Sequence, residues 1–179
     1  MKRKMMLALA VVMAVMALVS CGQAEESNSR MFGEIPDEYK AGDTPVDFEV
    51  ELLSGELVKR SDLKGKVVLL NFWFISCPPC VAEMPAFEKL KGEYGDDLVI
   101  LAVNSRDKKE KATEFIEENG YTFNVGLDPA GVIKWPVGHA PYTLVIDREG
   151  VIGYVGMGAK EDVWEPMYEE YKAEVEKLV

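Results

Sequence analysis

The clearest feature of the apolar and polar pattern is the run Val67-Val68-Leu69-Leu70-Asn71-Phe72-Trp73, apolar throughout except for Asn71. Its length and its β-branched and aromatic content predict a strand buried on both faces. Leu98 to Val103 repeats the pattern and predicts a second buried strand. Ahead of both, Asp47 to Leu52 alternates polar and apolar, Ser54-Gly55 turns, and Glu56 to Val58 returns, so a hairpin is expected at one edge of a sheet. Helical spacing follows the first buried strand through Val81, Met84, Phe87, Leu90, Lys91 and Tyr94, with Pro85 expected to kink that helix. An amphipathic helix is expected over 107–118, ending at Asn119-Gly120. Tyr121 to Val125 reads as a short strand and Asp128 to Trp135 as a helical turn. Tyr142 to Asp147 and Val151 to Val155 read as a hairpin turned at Arg148-Glu149-Gly150. A closing helix over 161–178 gathers Val163, Trp164, Met167, Tyr168, Tyr171, Val175 and Leu178 on one stripe. Strands alternating with helices, then a hairpin and a helix, imply an α/β architecture around a mixed sheet.

The first buried strand delivers Cys77-Pro78-Pro79-Cys80 to the start of its helix. Prolines fit the first helical positions, where a missing N–H costs nothing, so Cys77 is the expected N-cap and Cys80 the third helical residue. A sulfur at a helix N-cap feels the positive end of the helix dipole, which favours thiolate over thiol. Two cysteines one turn apart can close a disulfide and reopen it. The accessible N-cap sulfur of Cys77 is the expected nucleophile and Cys80 the resolving thiol. An N-cap acceptor ordinarily receives the N–H groups of the second and third helical residues. Pro79 has none to give, which leaves one amide, a less stabilised thiolate and a pair that leans toward being a reductant. A structural zinc site would need two further ligands, and only His139 and Cys21 remain, so no metal is expected.

The N-terminus changes the setting. Lys2, Arg3 and Lys4 precede an uninterrupted apolar run from Met5 to Val19, the shape of a secretory signal and too short to span a bilayer comfortably. The run ends in Leu18-Val19-Ser20-Cys21-Gly22, which resembles the lipobox of bacterial lipoproteins and implies cleavage after residue 20 and lipidation of Cys21. Residues 21–45 then read as a lipidated cysteine and a flexible tether, rich in Glu, Ser, Gly and Pro, with the domain expected over 46–179. The full chain has a net charge of −11, and removal of residues 1–20 leaves 17 Lys and Arg against 31 Asp and Glu, a net of −14. Nucleic acid, which needs a basic surface, is not an expected partner.

The domain resembles the thioredoxin-like fold, and within it the membrane-tethered thiol-disulfide oxidoreductases of the TlpA/ResA type. Asn71-Phe72-Trp73, Cys77-Pro78-Pro79-Cys80, Pro85, and Pro141 to Asp147 followed by Gly150 carry the resemblance. It departs from thioredoxins proper at Ser76, where Trp is usual, and at Asn71, where a buried Asp is usual. The resemblance implies a central mixed sheet flanked by helices, with the N-terminal β-hairpin as an extension. It also implies that Pro141 is a cis-proline beside the dithiol, leaving the Ala140 backbone free to pair with a substrate strand. Glu83, three residues past Cys80, is placed among the catalytic residues as a group that sets thiol reactivity. His139 and Trp73 join Ala140 as candidate substrate-side residues, although Trp73 reads first as packing beneath the dithiol and Asn71 as a satisfied buried amide. The implied activity is a monomeric, cofactor-free, lipid-anchored disulfide reductase. It would take electrons from a membrane thiol-disulfide donor and pass them to extracytoplasmic protein disulfides, for example in cytochrome c maturation or envelope protein assembly. Two other functions use the same residues: a copper-binding assembly protein with Cys77, Cys80 and His139 as ligands, and a thiol peroxidase. The second usually places Thr three residues before its reactive cysteine, where this chain has Phe74.

Overall fold

In a computed structural model the chain divides into two units, Met1–Glu34 and Ile35–Val179. The structure describes residues 38–128, 140–157 and 163–179, all in the second unit. The expected signal, Cys21, His139 and, beyond Asp128, the helical turn expected from Asp128 to Trp135 lie outside the described residues.

Seven strands form one sheet. In chain order the elements are β1 (Glu49–Leu52), β2 (Leu57–Lys59), β3 (Val67–Trp73), α1 (Pro78–Tyr94), β4 (Leu98–Asn104), α2 (Lys109–Asn119), β5 (Asn124–Leu127), β6 (Tyr142–Ile146), β7 (Ile152–Met157) and α3 (Trp164–Val175). The strand order is β2-β1-β5-β4-β3-β6-β7. The β3/β4 and β4/β5 pairs are parallel, and the remaining pairs are antiparallel. All seven residues of β3 are buried, the physical reason its sequence is a continuous apolar run rather than an alternating one. The hairpin β1–β2 extends the sheet at one edge, as its alternation predicts.

Two apolar layers fill the molecule. On one face Leu69, Trp73, Ile100, Ala102, Val125 and Val145 pack with Met84, Phe87 and Leu90 of α1, Ile116 of α2, and Met167, Tyr171 and Val175 of α3. The three described helices therefore share one face, as right-handed crossovers require when β3, β4 and β5 advance in one direction. The other face gathers Val68, Leu70, Phe72, Leu101, Val103, Tyr142 and Leu144 beneath Tyr39 and Phe48.

That second layer corrects the expected tether boundary. Tyr39 is buried, its hydroxyl accepts the Val46 N–H (3.0 Å), and its own N–H donates to the Tyr142 hydroxyl (3.3 Å). Gly42 N–H donates to Ile152 C=O and Ile152 N–H to Asp43 C=O, each at 2.8 Å. Residues 39–43 are thus part of the domain, held by one ring and a short ladder that composition alone does not reveal.

Other boundaries shift for local reasons. The helix expected from Asp107 starts at Lys109, because the Asp107 carboxylate is engaged by the Ile75 N–H instead of capping the helix. It ends where predicted, with Gly120 left-handed at φ +69°. The strand expected over 121–125 is β5, Asn124–Leu127. Tyr121 and Phe123 stack together, and Thr122 gives its N–H and hydroxyl to Glu88, which takes that stretch out of the ladder. Within β5, Gly126 lets β1 approach closely, since a Cβ there would lie 2.5 Å from Val50 Cγ2. The closing helix carries the expected stripe from Trp164 to Val175; Val163 is its exposed N-cap, and Leu178 lies past its end, packed against the core. Helix α1 runs unbroken through Pro85.

Replacing Tyr39 with Ala should remove both the ring and the anchor for Val46. Urea unfolding of the variant is expected to show a loss of about 3 kcal/mol, the range for truncating a large buried aromatic. A loss below about 1 kcal/mol would restore these residues to the tether.

Candidate active site

The site begins where β3 ends. Phe74-Ile75-Ser76 lead out of the strand, the Cys77 N–H donates to the Phe74 carbonyl (3.1 Å), and α1 starts with Pro78 and Pro79. Cys77 is the N-cap in extended conformation, and its sulfur accepts the Cys80 N–H at 3.3 Å. With proline at the second helical position, that amide is the single main-chain donor the N-cap motif can supply. Cys77 and Cys80 form a disulfide. Cys77 is 5% exposed and Cys80 fully buried, which orders their access as the helix start predicts.

The loop is held from outside by the turn after β4. Asp107 Oδ2 accepts the Ile75 N–H (2.8 Å) and an Asn104 amide hydrogen (2.9 Å). Asn104, itself fully buried, accepts the N–H groups of Arg106 and Asp107 through Oδ1. Neither Asn104 nor Asp107 is legible as a site residue in the sequence. The signal is an N-x-x-D spacing directly after a buried strand, with the carboxylate missing from the helix cap it would otherwise serve.

One turn into the helix, Glu83 is fully buried rather than solvated. Its Oε1 accepts from Asn71 Nδ2 (2.7 Å) and its Oε2 from the Tyr171 hydroxyl (2.7 Å). Asn71 Nδ2 also donates to Thr143 Oγ1 (2.9 Å), which lies 3.3 Å from the Tyr171 oxygen. Burial pushes the Glu83 carboxyl up to about 8, and the Tyr171 and Asn71 bonds only partly oppose it. Burial and the facing carboxyl in turn hold the Tyr171 phenol well above its ordinary range. Asn71 is not the fully satisfied amide expected: both amide hydrogens are drawn toward Glu83 and Thr143, and Oδ1 has no partner among the described residues. The sequence placed Tyr171 on an apolar stripe, which was right for its ring and silent about its hydroxyl.

Around this network α3 is clamped to α1. The Phe87 and Tyr171 rings lie 5.6 Å apart, and Glu93 accepts from Lys172 Nζ (2.7 Å) and from the Tyr168 hydroxyl. Trp73 is fully buried beside Phe115, with ring centroids 5.5 Å apart. It cannot touch a substrate, which corrects its place among the substrate-side residues and leaves the packing role. The Ala140–Pro141 peptide is cis. The register pairing Phe72 with Tyr142 puts Pro141 at the end of β3 from which the dithiol loop departs. Ala140 is partly buried and packs against the cluster that holds both cysteines. The structure thus assembles Cys77, Cys80, Glu83, Pro141 and Ala140 at one end of the sheet.

Glu83 makes stability depend on pH with a definite sign. Its folded value lies above the ordinary 4.5, so the stability from its neutral form is full below about 4.5 and is lost as pH rises through about 8. Unfolding free energy should fall across that window with a contribution of up to about 1.4 kcal/mol per pH unit. Denaturant titrations of Glu83→Gln at several pH values should lack this contribution. Tyr171→Phe should move the upper end of the window to higher pH, because it removes a donor that favours the carboxylate. An unchanged window would place the phenol outside the network.

Residues 41–155 match the AhpC/TSA family. The chain is similar to the thiol-disulfide oxidoreductase ResA of Halalkalibacterium halodurans, 34% identical over 162 residues that make up 89% of this chain and 90% of that protein. Among solved structures it is similar to the DsbE thiol:disulfide interchange protein of Chlorobium tepidum, with TM-score 0.66 and 29% identity over 77% of this chain and 99% of that one. It is also similar to the pneumococcal exposed lipoprotein thioredoxin Etrx1 of Streptococcus pneumoniae, with TM-score 0.61 and 28% identity over 74% of this chain and 99% of that one. The chain therefore belongs to the AhpC/TSA family, has its thioredoxin-like fold, and within it resembles the ResA thiol-disulfide oxidoreductases.

Proposed function

We propose that this chain is a lipid-anchored, extracytoplasmic thiol-disulfide oxidoreductase that reduces protein disulfides. The observation that carries the reading is the Cys77–Cys80 disulfide at the start of α1, with a buried carboxyl one turn behind it. In the reduced enzyme the Cys77 thiolate attacks one sulfur of a substrate disulfide. A mixed disulfide forms and one substrate thiolate leaves. Cys80 then attacks the Cys77 sulfur and releases the second substrate thiolate. Two electrons pass to the substrate, whose sulfurs take up two protons, and the enzyme is left as the disulfide.

Cys80 is buried and must lose its proton in place. Glu83 lies three residues along the same helix, and its carboxyl, pushed up to about 8 by burial, titrates close enough to neutrality to exchange a proton there. Asn71 and Tyr171 hold that carboxyl in position. Ala140 precedes the cis Pro141 at the start of β6, where its main chain would pair with a substrate strand. His139 adjoins this edge in sequence and stays a candidate for the substrate side.

The setting rests on the sequence: a basic start, an apolar run and the lipobox-like Cys21, on a chain similar to one named a lipoprotein. A membrane dithiol donor would restore the reduced form, and apocytochrome c or other envelope proteins are the expected substrates.

The test is trapping. Cys80→Ser in the full chain should accumulate a mixed disulfide through Cys77 with a reducible protein substrate, seen as a shift on a non-reducing gel. Cys77→Ser should accumulate none. Glu83→Gln should slow release of the mixed disulfide by about 10²-fold at neutral pH while leaving its formation measurable. Trapping through Cys80 instead would reverse the assigned roles.

A further inference from the structure

The surface beside the dithiol loop carries a charge opposite to that of the rest of the chain. Arg106 is exposed, and its guanidinium carbon sits 3.9 Å from the centroid of the Phe74 ring. Phe74 is the residue whose carbonyl holds the Cys77 N–H. The arginine is fixed from below as well, since its own N–H donates to the buried Asn104 at 3.1 Å. No carboxylate lies within ion-pair distance of it among the described residues, in a chain with 31 Asp and Glu.

The segment that follows is unusual for its place. Residues 106–111 hold four cations, Arg106, Lys108, Lys109 and Lys111, against Asp107 and Glu110. Asp107 is committed to the Ile75 N–H and Asn104, and Lys109 pairs with Glu51 (2.9 Å). Three of the cations stand at the start of α2, where the helix dipole opposes positive charge and acidic residues would stabilise. Lys108 is the N-cap and offers no capping acceptor. The Lys109–Glu51 pair offsets one of these charges, but neither Lys108 nor Lys111 has an ion-pair partner among the described residues, and a local rule broken without full compensation marks a surface shaped for something else.

We propose that Arg106, held over the Phe74 ring, is a carboxylate receptor that docks protein substrates whose disulfide is flanked by acidic residues. A guanidinium held over an aromatic ring loses little freedom on binding and can still turn its donors to a carboxylate. Phe74 opens the loop that carries Cys77, so the contact sits on the segment that leads to the attacking sulfur. On a chain of net charge −11, the contact offsets the repulsion an acidic partner would otherwise meet at this rim. The inference rests on the proposed reductase activity and deepens it by naming a substrate class.

The experiment uses the full chain, reduced, with three disulfide-closed peptides that are identical except for Glu, Gln or Lys beside each cysteine. Second-order rate constants for peptide reduction are measured at low and high salt. At low salt the Glu peptide should be reduced about threefold to fivefold faster than the Lys peptide, as for an exposed charge contact, with the ratio approaching one at high salt. Arg106→Gln should bring the low-salt ratio close to one, and Arg106→Glu should invert it. Lys177→Gln, a charge change in the C-terminal segment, should leave the ratio where it is. A ratio unmoved by Arg106→Glu, or rates indifferent to flanking charge, would overturn the docking role while the Gln peptide still reports a working reductase. Failure to reduce even the Gln peptide would overturn the reductase reading, and the docking inference with it.

Discussion

Much of this molecule serves to hold one sulfur at one helix end. The Cys77 sulfur accepts the Cys80 amide and sits at the positive end of α1, and both effects favour the thiolate once the disulfide opens. The two prolines make the helix start well defined, and Pro79 withholds the second amide that an N-cap would ordinarily receive. The site is therefore activated and at the same time held back. A thiolate with one main-chain donor is stabilised less than one with two, and a less stabilised reduced form is a better electron donor.

The remaining architecture keeps that arrangement in place. Strand β3, buried on both faces, fixes where the loop leaves the sheet, and the Asn104–Asp107 turn grips the loop from the neighbouring strand. Helix α3 contributes a phenol to the far side of Glu83 and is fastened to α1 by Glu93, Lys172 and Tyr168. A buried carboxyl is costly, and here its two oxygens are each engaged by a fixed donor, which sets its position and moderates its shift. The fold thus supplies two protonic environments on one helix: an N-cap sulfur at its positive end, where the dipole favours thiolate, and a carboxyl in an apolar interior that keeps its proton near neutrality.

Much of this was legible in the sequence because it rests on short-range rules. Prolines at a helix start, a continuous apolar run for a doubly covered strand, and Gly120 at a helix end each act over a few residues, and each matches the structure. What escaped depends on contacts far apart in the chain. Tyr171 reaches Glu83 across 88 positions, and Tyr39 reaches Tyr142 across 103. An aromatic stripe on a helix carries no mark telling which hydroxyl will meet a carboxyl. The polar segment around Tyr39 has no periodicity to show that it docks. Asp107 misled for a related reason: the helix was expected to start there, but its carboxylate is taken by a tertiary partner, the Ile75 amide. Trp73 sits close to the cysteines in sequence yet faces the interior, a distinction that burial settles and spacing does not.

On this reading the single-amide N-cap makes the Cys77–Cys80 pair a reductant. The most direct test is the equilibrium reduction potential of that pair, titrated against a thiol buffer and read by alkylation of the free thiols. The expected value lies nearer the roughly −270 mV of thioredoxin than the roughly −120 mV of a strong oxidant such as DsbA. A value at the oxidising end would contradict it, and would make the chain a donor of disulfides rather than of electrons.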